Sequence, residues 1–206
     1  MGLYRRQIAP RLINRVCASA LFDQDRSLVC AALVGAVVEV GFGAGNNLRF
    51  YPPTVSKVYA VEPSEVSRRE ATKRFANSTT PVEFVGLDGQ SLELADASCD
   101  AALITFSLCT IDDPAAALRE LHRVVRPGGR LHVLEHGRSP DANVAAWQRR
   151  LEPLEIALAD GCHLTRDPVA LVLDAGFVMV SLDQHYAKGP KPWAYLTRTV
   201  VERVAT

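Results

Sequence analysis

VVEVGFGAGNNL, Val37 to Leu48, is an apolar run that breaks at glycines Gly41, Gly43 and Gly45. It reads as a strand with Glu39 near its end, a tight turn, and then a short helix. Glycine accepts positive φ and places no side chain between main chain and ligand, so such a turn sets backbone N–H groups against a bound nucleotide. A phosphate-binding P-loop needs Lys and then Ser or Thr after its last glycine, whereas Gly45 is followed by Asn46 and Asn47. A dinucleotide fingerprint wants a small residue where Asn46 stands, which weakens a nicotinamide-dependent oxidoreductase without removing it.

Outward from this turn, short β-branched runs alternate with helical patterns. That alternation predicts an α/β fold around a mostly parallel sheet. The expected strands are Ala36 to Val40, Lys57 to Val61, Val82 to Val85, Asp100 to Thr105 and Arg130 to Glu135, apolar enough to be central strands covered on both faces. Helices are expected from Ser64 to Asn77 and from Asp113 to Val125, the second with an Asp cap and Pro114 in its first turn. RPGG, Arg126 to Gly129, should end that helix and turn the chain into the next strand. A further helix, about Asn143 to Ala159, should be interrupted by Pro153, and another should run from Pro168 to Gly176 with Asp167 as its cap. Two β-like runs, Phe177 to Asp183 and Trp193 to Thr199, would close the sheet as an edge hairpin around AKGPKP.

Two acids follow the second and third strands. Glu62, twenty-one residues after Gly41, is placed to accept both hydroxyls of a ribose. Asp88, in FVGLDGQSL, could accept from the exocyclic amine of adenine or simply close a solvent-facing turn.

EVGFGAG, the acidic VEP, the LDGQSL turn, the strand CDAALITFSL and LRELHRVVRPGGRLHVLEH together resemble a class I S-adenosylmethionine-dependent methyltransferase, over about residues 36 to 136. The resemblance implies a Rossmann-like sheet of seven strands, mostly parallel with the last antiparallel, and S-adenosylmethionine as cofactor. It further implies that the loop with Glu39, Gly41, Gly43, Gly45 and Asn46 holds the methionine part, Glu62 the ribose, Asp88 with Gly89 the adenine, and that Thr105 and Phe106 line the sulfonium side. FSLCTIDDP, LEHGRS, Trp147 and DGCHLTRD (Asp160 to Asp167) are similar to the branch containing alkyl-thiol methyltransferases. A small lipophilic acceptor is then expected, a thiol first, with a quinone, phenol or phospholipid amine as alternatives. The membrane-attached members of that branch carry an apolar N-terminal anchor, which MGLYRRQIAPRL does not show.

A methyl on a sulfonium is already activated, so the protein has mainly to align a deprotonated acceptor and exclude water. His136, after the fifth strand, is the candidate base. His132 shares its strand face but lies about 13 Å away along extended chain, so the two predict no metal site. Cys162 and His163 in DGCHLTRD, with Tyr4, are candidates for the acceptor pocket; Thr165 and Asp167 are candidate helix caps.

Length and composition bound these readings. The chain's 206 residues, 48% hydrophobic, suit one globular domain that buries roughly 70% of its extended surface. Within it, residues 1–30 read as an N-terminal helical lid, 31–140 as the cofactor-binding core and 141–206 as substrate-side helices and terminal strands. Twenty-three Lys and Arg balance 23 Asp and Glu, giving no global field toward nucleic acid. The longest apolar run, Leu28 to Val38, is 11 residues, against roughly 20 for a bilayer span. Five cysteines, odd in number and never spaced CxxC, argue against a disulfide framework or a thiolate zinc site and fit a reducing cytoplasm. Arg5, Arg6, Arg11 and Arg15 with Tyr4, Ile8, Leu12 and Val16 form a basic amphipathic segment broken near Pro10. Its apolar stripe is expected to fold over the cofactor cleft; peripheral contact with an anionic membrane is the alternative.

Overall fold

In a computed structural model, which describes residues 3–75 and 78–204, the alternating pattern becomes one seven-stranded sheet. The strands are β1 (Gly35–Val40), β2 (Val55–Val61), β3 (Val82–Gly86), β4 (Cys99–Thr105), β5 (Val125–His136), β6 (Val178–Tyr186) and β7 (Tyr195–Glu202), in the order β3-β2-β1-β4-β5-β7-β6. β1 pairs in parallel with β2 and β4, β2 with β3, and β4 with β5; β7 runs antiparallel to both β5 and β6. The expected sheet is therefore present. β3 is an edge strand, not a central one: it carries Glu83 and none of its residues is fully buried.

The helices are α1 (Ala9–Cys17), α2 (Asp23–Cys30), α3 (Glu65–Phe75), α4 (Pro114–Val124), α5 (Ala142–Leu158), α6 (Pro168–Asp174) and the short α7 (Lys191–Ala194). One face of the sheet packs against α4 and α6 through Leu118, Leu121, Val124 and Val172; the other packs against α2 and α3 through Val29, Cys30 and Ala71. Ser64 Oγ accepts from Ser67 N at 3.3 Å and opens α3, while the expected end at Asn77 lies outside the described residues. Asp113 caps α4 by accepting from Ala116 N at 2.9 Å, and Ala117, Leu118, Leu121 and Val124 form its buried stripe.

Two local expectations are corrected. Pro153 sits inside an unbroken α5; it is exposed, so the carbonyl it leaves without a helical partner is open to water. RPGG is no free turn but lies within β5, where the register jumps from the Cys99–Val125 pair to Ala101–Arg130. Arg126 Nε reaches Asp100 Oδ1 at 2.8 Å, and Gly128, at φ +76°, donates to Arg203 O. The resulting bulge is tied to both neighbouring segments.

Chain order reverses between β1 and β4, and at such a switch point the loops after parallel strands open a crevice. Residues 41–45, 62, 86–90, 105–109 and 136 all follow carboxyl ends of parallel strands. The sheet thus assembles them on one rim.

Asp113→Ala should cost about 1 kcal/mol through loss of the α4 cap, read as a lowered urea midpoint at unchanged slope. An unchanged midpoint would remove the cap from the account of α4.

Candidate active site at the carboxyl edge of the sheet

Gly41 has φ +75°, and a Cβ there would lie 1.8 Å from Ser107 Oγ, so the turn after β1 closes onto the turn after β4 only because the side chain is missing. Gly43, at φ +58°, is different: its Cβ would meet nothing nearer than Gly41 O at 3.9 Å, which leaves the loop open to a ligand. Gly43 N donates to Glu62 Oε2 at 2.7 Å and Ser64 N to Glu62 Oε1 at 2.8 Å. Burial raises the Glu62 pKa above the ordinary carboxylate range, partly offset by those two N–H groups. A Cβ on Gly89 would stand 2.5 Å from Val40 Cγ1, so the turn after β3 also presses on β1. Asp88 is exposed, and its Oδ1 accepts from Gln90 N and Nε2.

Behind the loop lies a buried polar network. Glu39, 1% exposed, accepts from Asn47 Nδ2 at 2.7 Å and from the Tyr51 hydroxyl. Asn47 Oδ1 in turn accepts from Arg26 Nη1 at 2.6 Å, and Thr105 Oγ1 takes Asn47 Nδ2 at 3.0 Å and Arg26 Nη1 at 3.2 Å. Burial lifts the Glu39 pKa to about 8 against the hydrogen bond from Asn47 and the charge of Arg26. Asn46 turns the other way, to Arg74 Nη1 at 2.7 Å, so the asparagine facing inward is Asn47. Adjacent asparagines on a turn point to opposite sides, and the sequence does not say which goes in. Arg26 also escaped the sequence reading, because nothing in DQDRSLVC distinguishes it from a surface arginine.

β4 ends at Thr105, and Phe106 follows at φ +53°, a left-handed conformation rare for a bulky side chain. Its ring packs on Phe22 at 4.8 Å between centroids and faces the Arg26 guanidinium at 5.2 Å. The next two amides, Ser107 N and Leu108 N, donate to Glu135 Oε1 at 2.6 and 2.9 Å. Glu135 is fully buried, its Oε2 has no partner, and burial carries its pKa to about 7 against those amides.

His136, half-buried beside it, places Nε2 3.2 Å from Cys162 Sγ. Cys109, three residues beyond Phe106, completes a group whose ligand atoms (Cys109 Sγ, His136 Nε2, Cys162 Sγ) all lie within 4.8 Å of one another. Hydrogen bonding from Cys109, and then from His136, draws the Cys162 thiol pKa down in spite of burial, while Cys109 moves up. Burial works against a charged His136, but Cys162, Glu135 and Glu155 together outweigh it and raise the imidazole pKa. The sequence expectation of no thiolate metal site rested on spacing, and spacing does not register this cluster: its members come from the loop after β4, the end of β5 and the segment after α5. His163 is not in the group. Its Nδ1 pairs with Glu152 Oε1 at 2.9 Å, Thr165 Oγ1 donates to Glu152 Oε2 at 2.6 Å, and Asp167 caps α6.

The N-terminal segment crosses this rim. A π-helical turn, Tyr4–Ile8, changes to α1 just before Pro10. Asn14 Nδ2 donates to Glu70 Oε2 at 2.9 Å, Asn14 Oδ1 accepts from Ser67 Oγ at 3.2 Å, and that oxygen lies 4.0 Å from the Cβ position of Gly43. At the other end the Tyr4 hydroxyl donates to Leu158 O at 2.7 Å. The apolar stripe expected to fold inward faces out: Ala9, Pro10 and Asn14 are buried, while Ile8, Leu12 (53%) and Val16 (65%) are exposed. Among the described residues the Asn14 side chain finds its partners on α3, and these hydrogen bonds select the face. The side chains of Arg5 and Arg6 lie outside the described residues.

The methyltransferase domain family matches residues 38–133. Thiol S-methyltransferase TMT1B of Rattus norvegicus is 36% identical over 180 residues, which span 85% of this chain and 72% of the relative. The chain belongs to the class I S-adenosylmethionine-dependent methyltransferases. A ubiquinone/menaquinone biosynthesis C-methyltransferase of Syntrophotalea carbinolica is 30% identical over 69% of this chain and 64% of its own length. The solved structure of an S-adenosylmethionine-dependent methyltransferase from Mesorhizobium loti, 16% identical, has the same fold: the TM-score is 0.67, over 89% of this chain and 99% of that one. No helix among the described residues of the methyltransferase is long and apolar enough to cross a membrane.

The residues present fit the cofactor. Gly43 leaves a cradle that a Cβ would fill, each Glu62 oxygen has accepted a single N–H, and the buried Glu135 Oε2, on the same rim, is an acceptor without a partner among the described residues.

Because burial raises the Glu39 pKa, the folded methyltransferase keeps a proton that the unfolded chain releases. Stability then falls as pH climbs from the ordinary glutamate value through about 8. Glu39→Gln keeps the shape and removes this slope, so its melting temperature should gain on the wild type between pH 5 and about pH 8.5. Parallel melting curves would take the buried proton out of the account.

Proposed function

We propose that this methyltransferase alkylates the sulfur of a small lipophilic thiol, and that the cofactor lies with its methionine end on the Gly41, Gly43 and Gly45 loop. Glu62 accepts the ribose hydroxyls, Asp88 with Gly89 meets the adenine, and Thr105 and Phe106 line the sulfonium side. Glu39 and Asn46 serve the loop from behind, through Asn47 and Arg74. S-adenosylmethionine supplies a methyl group bonded to a sulfonium, electrophilic enough to need no further activation. The chain's own residues then have three tasks: to hold the cofactor, to bring a deprotonated sulfur into line, and to keep water away.

The acceptor assignment is carried by the identity with a thiol S-methyltransferase across 85% of the chain, including the segments that bear Cys109, His136 and Cys162. A thiol has a pKa of about 8.5, so only a small fraction is thiolate at neutral pH, and a site that favours the anion gains rate directly. We assign Cys162 and Tyr4 to the acceptor end with His136, and His163 to a position one step behind, where it holds Glu152. The Tyr4 hydroxyl and Asn14 tie the N-terminal segment down on either side of the rim, which supports its role as a cover that excludes water. All five cysteines are thiols, which supports a reducing, cytoplasmic setting.

Calorimetry with S-adenosylhomocysteine, followed by transfer of labelled methyl to thiols, quinones, phenols and amines, tests the assignment. Binding followed by thiol labelling is the expected result; labelling of a quinone alone would move the acceptor to the other relative's class. Asp88→Ala should weaken binding of S-adenosylhomocysteine by about 1–3 kcal/mol, and undiminished affinity would return Asp88 to its turn with Gln90. His136→Ala should lower turnover at least roughly tenfold and leave cofactor affinity as it is. Full activity in that variant would remove His136 from the acceptor end.

A further inference from the structure

The expected base, His136, does not face open space: its Nε2 is turned onto a cysteine, with a second cysteine beside it. We propose that Cys109 Sγ, His136 Nε2 and Cys162 Sγ form a binding site for one thiophilic divalent cation, zinc by preference, whose fourth position receives the thiolate of the acceptor. The fourth-position assignment rests on the thiol reading of the acceptor; the three-ligand site does not.

The donor set is the first reason. Two thiolates and an imidazole are soft and borderline ligands that select zinc over calcium or magnesium. Three protein ligands with a vacancy is the arrangement of zinc sites that do chemistry, whereas structural zinc sites are closed by four. Among the described residues the cluster stops at three.

Spacing is the second. In a tetrahedron with zinc–sulfur and zinc–nitrogen bonds near 2.3 and 2.05 Å, the edge between S and N is about 3.5 Å. Cys162 Sγ and His136 Nε2 stand 3.2 Å apart, and all three ligand atoms fall within 4.8 Å. Against a tetrahedral S–S edge of about 3.8 Å, the separations that involve Cys109 Sγ are at most about 1 Å too long.

The third is the support behind the ligands. His163 N donates to Cys109 O at 2.8 Å, which ties one cysteine segment to the other. Arg166 Nη1 clasps the Cys109 loop by donating to Leu108 O and to Ile111 O, and Thr110 Oγ1 donates to Ser107 O at 3.0 Å. His136 is held at the end of β5 by its pairing with Leu196 on β7. Ligands fixed by such bonds before metal arrives give a preorganised site.

The site answers the problem that acceptor acidity sets. As the acceptor's sulfur binds the cation, its S–H proton passes to solvent buffer. A sulfur lone pair then forms the new S–CH3 bond while the bond from that methyl to the sulfonium sulfur breaks, and the breaking pair stays on the latter, which becomes a neutral thioether. The methylated acceptor is itself a neutral thioether, a poor zinc ligand, and gives way to water or the next thiol.

The full chain, purified under reducing and oxygen-free conditions, should contain one zinc per molecule by elemental mass spectrometry. Replacement by cobalt(II) should give visible bands of a tetrahedral ion and a near-ultraviolet thiolate charge-transfer band. Cys162→Ser and Cys109→Ser should lower metal affinity by more than the roughly 10–100-fold that follows loss of a supporting partner. Both should still bind S-adenosylhomocysteine, which shows that they fold. An acceptor thiol should shift the cobalt bands, and a thioether should not. Substoichiometric zinc, absence of the charge-transfer band, or bands unchanged in Cys162→Ser overturns the site, as does a Cys109–Cys162 disulfide in the purified chain. Labelled thiol produced at full rate by metal-free protein overturns the metal while the thiol reading stands. Bound zinc with no thiol methylated, and cobalt bands blind to thiols, overturns the fourth-position assignment together with the thiol reading.

Discussion

The absent side chain at Gly41 sets the distance between β1 and β4 at the rim. With Ser107 Oγ occupying the place of its Cβ, the turns after the two strands interlock, and both sides are held in left-handed backbone, Gly41 at φ +75° and Phe106 at φ +53°. Left-handed conformation is cheap for glycine and costs a bulky residue on the order of 1–3 kcal/mol, so something must hold Phe106 there. Glu135 does so by capturing the next two amides from the end of β5, and Phe22 and Arg26 do so by packing on the ring. Three adjacent strands are thereby locked at their carboxyl ends, and the residues beyond them, Cys109 and His136 included, inherit that precision.

Two buried carboxylates sit on the same rim and behave differently because their neighbours differ. Glu135 meets two backbone amides, whose direction is fixed by the chain; Glu39 meets a tyrosine and an asparagine that Arg26 in turn holds. The second arrangement links the glycine loop to α2, and α2 to the face of the sheet where His132 Nδ1 lies 2.7 Å from Val29 O. The N-terminal thirty residues are thus not all cover: α1 spans the rim, whereas α2 is built into the sheet through Val29 and Cys30. That division follows side-chain chemistry. The Asn14 side chain is held by Glu70 and Ser67 of α3, and Val29 and Cys30 have an apolar face to fill.

The fold was legible because parallel strands announce themselves as apolar runs and because a glycine-rich turn directly after the first of them marks a nucleotide-binding α/β unit. Caps at Ser64, Asp113 and Asp167 were legible for the same reason, each being a local device read within four residues. RPGG and Pro153 were misread as breaks since the outcome depended on distant partners: Arg203 and Asp100 for the bulge, solvent for the proline. At the site, Gly41, Gly43, Glu62 and Asp88 lie on the rim, while Asn46 turns out to Arg74, and Arg26, Asn47 and Glu135, which gave no sequence signal, are buried behind it. The acid in LEH stands beside the histidine that drew attention, yet alternation along a strand turns Glu135 and His136 to opposite sides.

The grouping of Cys109, His136 and Cys162 shows why motif spacing fails for a site of this kind. A CxxC pair closes a ligand bite within one turn of chain, so its signature is local; here the residues come from the loop after β4, the end of β5 and the segment after α5, and the sheet brings them together. The separation of 53 residues between the two cysteines carries no information by itself. What brings them together is the register of β4 against β5, which sets Thr105 beside Leu134, and the His163 to Cys109 backbone bond that folds DGCHLTRD back over the same rim. A group of side chains assembled that way is coupled to the sheet, because the parallel pairing of β4 with β5 sets where two of its three segments begin.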